Sequence, residues 1–246
     1  MEITKNKNAT IKKQSSAGCF SMFTLSFSIT FIPAFLTNRQ ELISRGLLVP
    51  ALFLAEFLIL VPLYFIFFRK REGLGRGSFR LDVFFTLFSL IMIIQLFVPY
   101  LLAVRKTEEW MISQMSFSGA ILWINIFSSV LLVPVYEEIV FRGCLFNSFK
   151  FWFNDNIYIS AIVTSVIFSA LHLQYTDFRT FLMLFLISLV LISAKIKSNG
   201  LLMPILLHMA MNAVITGIQY TLQYHITVWN CYYEISITPE VGKRSK

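Results

Sequence analysis

The chain has 246 residues, of which 57% are apolar and only 14% charged, with 26 Phe and a net charge of +8. Soluble domains carry about a quarter of their residues as charges, so a mean hydropathy of +0.70 excludes a soluble globular domain and indicates a polytopic membrane protein. The apolar runs are long and unbroken where a transmembrane β-barrel would alternate. Lys and Arg flank these runs and form no basic face interleaved with stacking aromatics, which argues against a nucleic-acid partner and for the lipid bilayer.

In chain order, residues 1–16 are polar and basic and are expected to form a mobile cytoplasmic arm. They show no cleavable signal peptide, since the first apolar run is long and lacks a small-residue cleavage site. Spans are expected at about 17–37, 46–68 and 82–103, with "RKREGLGRGSFRL" at 69–81 as a basic, glycine-rich loop. A fourth span begins at Gly119, and two more occupy about 178–194 and 200–219. The aromatic, mixed tail 221–246 is read as cytoplasmic or interfacial. Cys19, Cys144 and Cys231 are scattered without metal-ligand spacing and read as small core residues. The organisation is thus an arm, N-terminal membrane helices over 17–118, a polar-studded membrane core over 119–220 and a tail.

Residues 137–173 pose a length problem. An unbroken helix from Gly119 to Phe153 would measure about 50 Å, against a hydrocarbon core of about 30 Å. Pro134 offers a place to break it, so the expectation is a turn near the glutamates, with 119–135 and 137–153 as separate spans. "NDN" at 154–156 then turns the chain into 157–173. The expected fold is an all-α bundle of about eight transmembrane helices with both termini on one side. That side holds Lys5, Lys7, Lys12, Lys13, the five basic residues of 69–80, Arg179 and three in the tail, thirteen in all. The other side holds seven, Arg39, Arg45, Arg105, Lys106, Lys150, Lys195 and Lys197. The positive-inside rule places the richer side in the cytoplasm.

Three polar motifs stand in the apolar second half: "EEIVFR" (Glu137 to Arg142), "FSALH" (Phe168 to His172) and "HMAMN" (His208 to Asn212). Residues four apart share a helix face, so Glu138 and Arg142 can pair on one helix. Counted from the turn at Asp155, Glu137 and His172 fall at nearly the same depth of a helical hairpin. Ionisable groups inside spans are costly and functional by default. A carboxylate, two imidazoles and an amide at compatible depths suit water activation with oxyanion stabilisation. Glu137, His172 and His208 are equally a ligand set for catalytic zinc. A lone Glu56 in the second span reads as a structural group bonded to a neighbouring helix, and His225 as solvated. A proton-linked transporter could also use Glu, His and Arg within helices, but would call for broken helices and inverted halves.

Together, EExxxR, FxxxH and HxxxN in this order resemble the CPBP family (CAAX proteases and bacteriocin-processing enzymes, Abi-like), over about residues 130–215. "FRG" at Phe141 to Gly143 is also similar. The resemblance implies an eight-helix intramembrane endopeptidase in which Glu137 and His172 activate water and His208 and Asn212 form the oxyanion hole. Glu138 and Arg142 would be a supporting ion pair, and Phe141 and Phe168 would line the site. It implies a peptide or protein substrate, a bacterial plasma membrane, and roles such as bacteriocin self-immunity or peptide maturation. A metal-free mechanism is favoured over zinc, because Asn212 is a poor zinc ligand and a good oxyanion donor. The alternative is a non-catalytic protein of the same fold that binds a peptide or a sensor kinase.

Overall fold

The computed structural model describes residues 2–71, 73–104 and 108–237. Expectations about Arg105, Lys106 and the chain beyond 237 lie outside the described residues, as do those about the side chains of Lys5, Lys7, Lys12, Lys13, His225 and Cys231. Among the described residues the protein is all-helical, with no strand. Its main helices are α1 (Glu2–Ile29), α2 (Leu48–Phe68), α3 (Leu81–Leu101), α4 (Gly119–Trp152), α5 (Ile157–Ala170), α6 (Phe178–Ser198) and α7 (Leu202–Ile237). Five stretches are long and apolar enough to cross a membrane: α2, α3, α4, α6 and Leu202–Leu222 of α7. Two shorter apolar helices, Ser16–Ile29 within α1 and α5, complete the bundle. α1 carries helix back through the basic arm, and α7 carries it on through most of the tail.

The expected break before the glutamates does not occur. Residues 119–152 form one helix of 34 residues, so two of the eight expected spans are one element. The reason lies in its turns. Ser128–Leu132 and Glu138–Leu145 are wound as π-helix, on either side of Pro134. A π turn bonds residue i to i+5 and widens the coil. The wider turn ahead of Pro134 accommodates a residue that cannot donate and would crowd the preceding turn of an ordinary α-helix. The helix continues through the proline.

The hairpin after it forms where expected. Asn154 and Asp155 adopt left-handed φ angles of 51° and 61°, which Asn and Asp tolerate best among non-glycine residues. Asn156 then caps α5 by accepting from the Ile159 amide at 3.1 Å.

Contacts between loops define the two ends of the bundle. The connection between α6 and α7 lies on the glycine-rich loop 69–80: the Ser78 amide donates to Ser198 O at 2.8 Å and Leu201 donates to Gly75 O at 3.0 Å. A Cβ on Gly200 would collide with Gly77 and the Arg76 carbonyl, so the backbones can meet only because that position is glycine. At the opposite end, the Arg179 guanidinium donates to the Leu102 and Ala103 carbonyls, both at 3.0 Å, and Asn125 reaches Gly46 O at 3.3 Å. The charge-derived layout is therefore corrected. Lys195 and Lys197 belong to the end that carries 69–80, and Arg179 to the other. With α4 crossing once, every later helix reverses direction relative to the eight-span layout. The expected placement of both termini on one side is corrected too: Ser16 of α1 meets Ser148 at the end bearing loop 69–80, whereas Gln219 of α7 meets Met111 at the other.

The core is in two parts. One packs α1, α2, α4 and α5 around Leu60, Tyr136, Val140, Cys144 and Phe168. The other packs α3, α6 and α7 around Ile91, Leu191 and Leu207. Large apolar side chains face outward along the helices, among them Ile66 (70% exposed), Phe127 (58%) and Leu101 (62%). Such a surface is covered by lipid.

Candidate functional site

The polar residues lie where the two parts of the core meet, between α4 and α7. Glu138 and Arg142, one helical turn apart and both 0% exposed, are joined by a 3.0 Å salt bridge. The same oxygen, Glu138 Oε1, accepts a 2.8 Å bond from His208 Nδ1 on α7. Since a carboxylate only accepts, His208 carries a proton on Nδ1. Its other nitrogen, Nε2, stands 4.0 Å from Glu137 Oε2. Glu137 is thus the carboxylate facing the free edge of the imidazole, and its side chain is 17% exposed where Glu138 is sealed.

His172 is held in the same manner by a different group. It follows the end of α5, and its Nδ1 donates to the Phe168 carbonyl at 2.7 Å, one of the last carbonyls that a helix end leaves short of amide partners. That fixes the proton on Nδ1 and leaves Nε2 with a lone pair, the form suited to accept a proton. The FxxxH spacing therefore sets a tautomer. The Phe168 ring ties His172 to the rest of the site: it lies 4.6 Å from the imidazole, 5.1 Å from Phe141 and 4.2 Å beneath the Arg142 guanidinium. The Phe141–Phe168 contact pairs positions at the register that sets Glu137 level with His172, as the turn-counting predicts. Tyr175 stacks on His172, with rings 5° from parallel.

Asn212, one turn along α7 from His208, does not touch these groups. Its Nδ2 donates to the Ser129 carbonyl at 2.9 Å. Of the four polar residues expected at the centre, Glu137 and His208 face each other, and His172 is linked to the Glu138–Arg142 pair through the Phe168 ring. The fourth faces the backbone of α4 about two turns away.

Two partners were not anticipated from sequence. Glu138 does more than pair with Arg142, since it also orients His208. Glu56, buried on α2, lies within electrostatic reach of the buried Tyr136, next in sequence to Glu137. Burial of Glu56 beside a neighbouring helix is what the structure shows of that expected structural group. Its closeness to the motif had one sequence signal, an acidic group in a span, which carries no address.

Among the described residues, no group of three or more His, Cys, Asp or Glu is arranged to hold a metal ion. His208 directs Nδ1 to Glu138, and His172 directs Nδ1 to the Phe168 carbonyl, so each keeps Nε2 as its open nitrogen. Glu137, His172 and His208 are not gathered into one ligand set as they stand.

Fold and site define a membrane protein of helical-bundle type with its polar residues concentrated in α4, α5 and α7. Residues 119–214, the segment that carries all three motifs, match the family model described as type II CAAX prenyl endopeptidase Rce1-like, a family of proteases. An uncharacterized 24.3 kDa protein of Escherichia coli is 42% identical over 79 residues, which cover 32% of this chain and 36% of that protein. The match thus spans about a third of the length of that curated relative. No solved structure matches the chain.

Proposed function

We propose that this protein is an intramembrane endopeptidase that cleaves a peptide or protein substrate with water activated by Glu137 and His172. The observation that carries the reading is the Glu138–His208–Glu137 arrangement within a segment matched to a protease family. Glu138 orients the His208 imidazole through Nδ1, as a carboxylate does beside a catalytic histidine. Protonated at Nε2, His208 donates to the oxygen that becomes negative when water attacks the carbonyl. Glu137 takes the proton from that water, with the His172 Nε2 lone pair as a second acceptor. The C–N bond then breaks, and Glu137 returns the proton to the leaving amine. Phe141 and Phe168 pack around the reacting groups and limit water entry.

The proposed setting is a bacterial plasma membrane, with the end bearing loop 69–80 in the cytoplasm. Described connections and helix ends on that side carry Arg69, Lys70, Arg71, Arg76, Arg80, Lys150, Lys195 and Lys197, against Arg39, Arg45 and Arg179 opposite. Peptide maturation or bacteriocin self-immunity is the proposed role, by resemblance, with no cofactor required.

The test is purified protein in detergent, assayed against a library of quenched-fluorescence peptides beside Glu137→Gln. The amide keeps the volume of the carboxylate but cannot take a proton from water. Hydrolysis by wild type and its near-complete loss in a folded Glu137→Gln variant is the expected result. Equal hydrolysis by both would sink the mechanism. If Glu137→Gln instead supports the cellular phenotype as well as wild type, the protein acts by binding.

A further inference from the structure

The bond between Asn212 and α4 has a specific cause. In the π turn Ser128–Leu132 the Val133 amide donates to Ser128 O, five residues back. The next amide in that register belongs to residue 134, and its acceptor would be Ser129 O. Residue 134 is proline, which has no N–H. The Ser129 carbonyl is therefore the one that the π turn and the proline together leave without its ladder donor. That carbonyl is the acceptor of Asn212 Nδ2 at 2.9 Å. A backbone carbonyl inside a membrane bundle is costly to leave unmade, and α7 supplies the missing donor from a side chain.

We propose that Asn212 is a positioning residue, which substitutes for the amide that Pro134 lacks and so holds the π turn that aims Glu137 and Glu138. This deepens the peptidase reading and rests on Glu137 as the base. Glu137 is three residues beyond Pro134, and the winding of residues 128–134 sets which face of α4 the glutamates present. His208 and Asn212, on one face of α7, bind α4 at two levels: His208 grips Glu138 beyond the proline, and Asn212 grips Ser129 before it. The HxxxN spacing is then the spacing of two clamps on a wound helix. The Asn212 amide acts through Ser129, so the oxyanion falls to His208.

A rescue experiment distinguishes this from direct oxyanion binding. Alanine at 134 restores an N–H that can donate to Ser129 O, making Asn212 redundant. Wild type, Asn212→Ala, Pro134→Ala and the double variant are purified as full chains. Each is assayed for thermal unfolding in detergent and for hydrolysis of the same peptide library. Asn212→Ala alone should lower the midpoint by about 3 °C, the scale of one lost hydrogen bond in a chain of this size, and should reduce kcat more than tenfold. Pro134→Ala should stay within about threefold of wild type, and the double variant should match Pro134→Ala in both readouts. A double variant that regains stability but remains about 10²–10³-fold down in kcat, the loss expected for a missing oxyanion donor, overturns the proposal. If wild type hydrolyses no peptide, the peptidase reading fails and the unfolding series alone decides. Non-additive midpoints uphold the Asn212–Pro134 link, and additive ones refute it. Should Asn212→Ala fail to accumulate, recovery of membrane-inserted protein in the double variant is the same readout, and no recovery counts against the proposal.

Discussion

Arg142 shows how much one buried side chain can hold. Its guanidinium is fully enclosed, pairs with Glu138 and lies over the Phe168 ring that positions His172. Removing one partner of such a pair strands the other charge, at about 3–5 kcal/mol. Arg142→Ala should therefore reduce the amount of folded protein in membranes. Normal accumulation with complete loss of hydrolysis would instead place Arg142 among the reacting groups. A second expectation belongs to the proposed metal-free chemistry: a chelator such as EDTA should leave hydrolysis unchanged, and loss reversed by added zinc would contradict it. At this scale the sequence was informative. The i,i+4 spacing of Glu138 and Arg142 was enough to pair them, and the hairpin count agrees with the register at which Phe141 meets Phe168. The hydrogen-bond partners behind the two imidazoles were not legible, because a carbonyl acceptor belongs to every residue and only the fold says which one is free. Asn212 is the sharpest instance. Its residue type suits an oxyanion hole, and only the missing amide of Pro134, 78 positions earlier in the chain, gives it a structural employer.

At the scale of elements, the connections do as much as the helices. The loop after His172 is pinned by Glu108, which accepts from the Thr176 amide and hydroxyl, the Asp177 amide and the Thr180 hydroxyl, the last at 2.7 Å. Burial pushes the Glu108 carboxyl up, but these donors outweigh it and hold its pKa below the ordinary carboxylate range. A group whose pKa is depressed by folding stabilises above its unfolded value and ceases to as pH falls through the folded one. The clamp on residues 176–180 should thus be intact above about pH 4.5 and loosen below it. Hydrogen exchange of the 171–180 backbone at neutral and acid pH reads this directly, and Glu108→Gln should raise exchange at neutral pH. Unchanged exchange in that variant would show that the loop is held elsewhere. Likewise Gly200→Ala should destabilise the α6–α7 connection, since its methyl has no room beside Gly77. A variant as stable as wild type would mean that loop 69–80 yields easily. The continuous course of α4 was the main element that sequence misjudged. Pro134 and a 35-residue length both argue for a break, and the proline is accommodated by a π turn that has no compositional signature.

For the whole molecule, one helix too many inverted half of the topology. Counting α4 as two spans left the first three spans correctly alternating but placed Lys195 and Lys197 opposite loop 69–80, although the two segments share hydrogen bonds. Positive charge could not expose the error, because the incorrect layout still gave a one-sided excess. The corrected grouping makes a forecast in which parity is decisive. Positions 76 and 197 must lie on one side of the membrane, and positions 45 and 179 on the other. Single cysteines at these four sites, in a background with Cys19, Cys144 and Cys231 replaced by Ala, can be labelled in intact cells with a membrane-impermeant maleimide. Labelling of 45 and 179 with protection of 76 and 197 is the expected pattern, given the basic end in the cytoplasm. Labelling of 76 and 197 alone would keep the fold and reverse its orientation, moving the proposed peptidase site relative to the cytoplasm. Labelling that separates 76 from 197 would contradict the fold itself, since the contacts of Gly75, Arg76 and Ser78 with the α6–α7 connection allow no membrane between them.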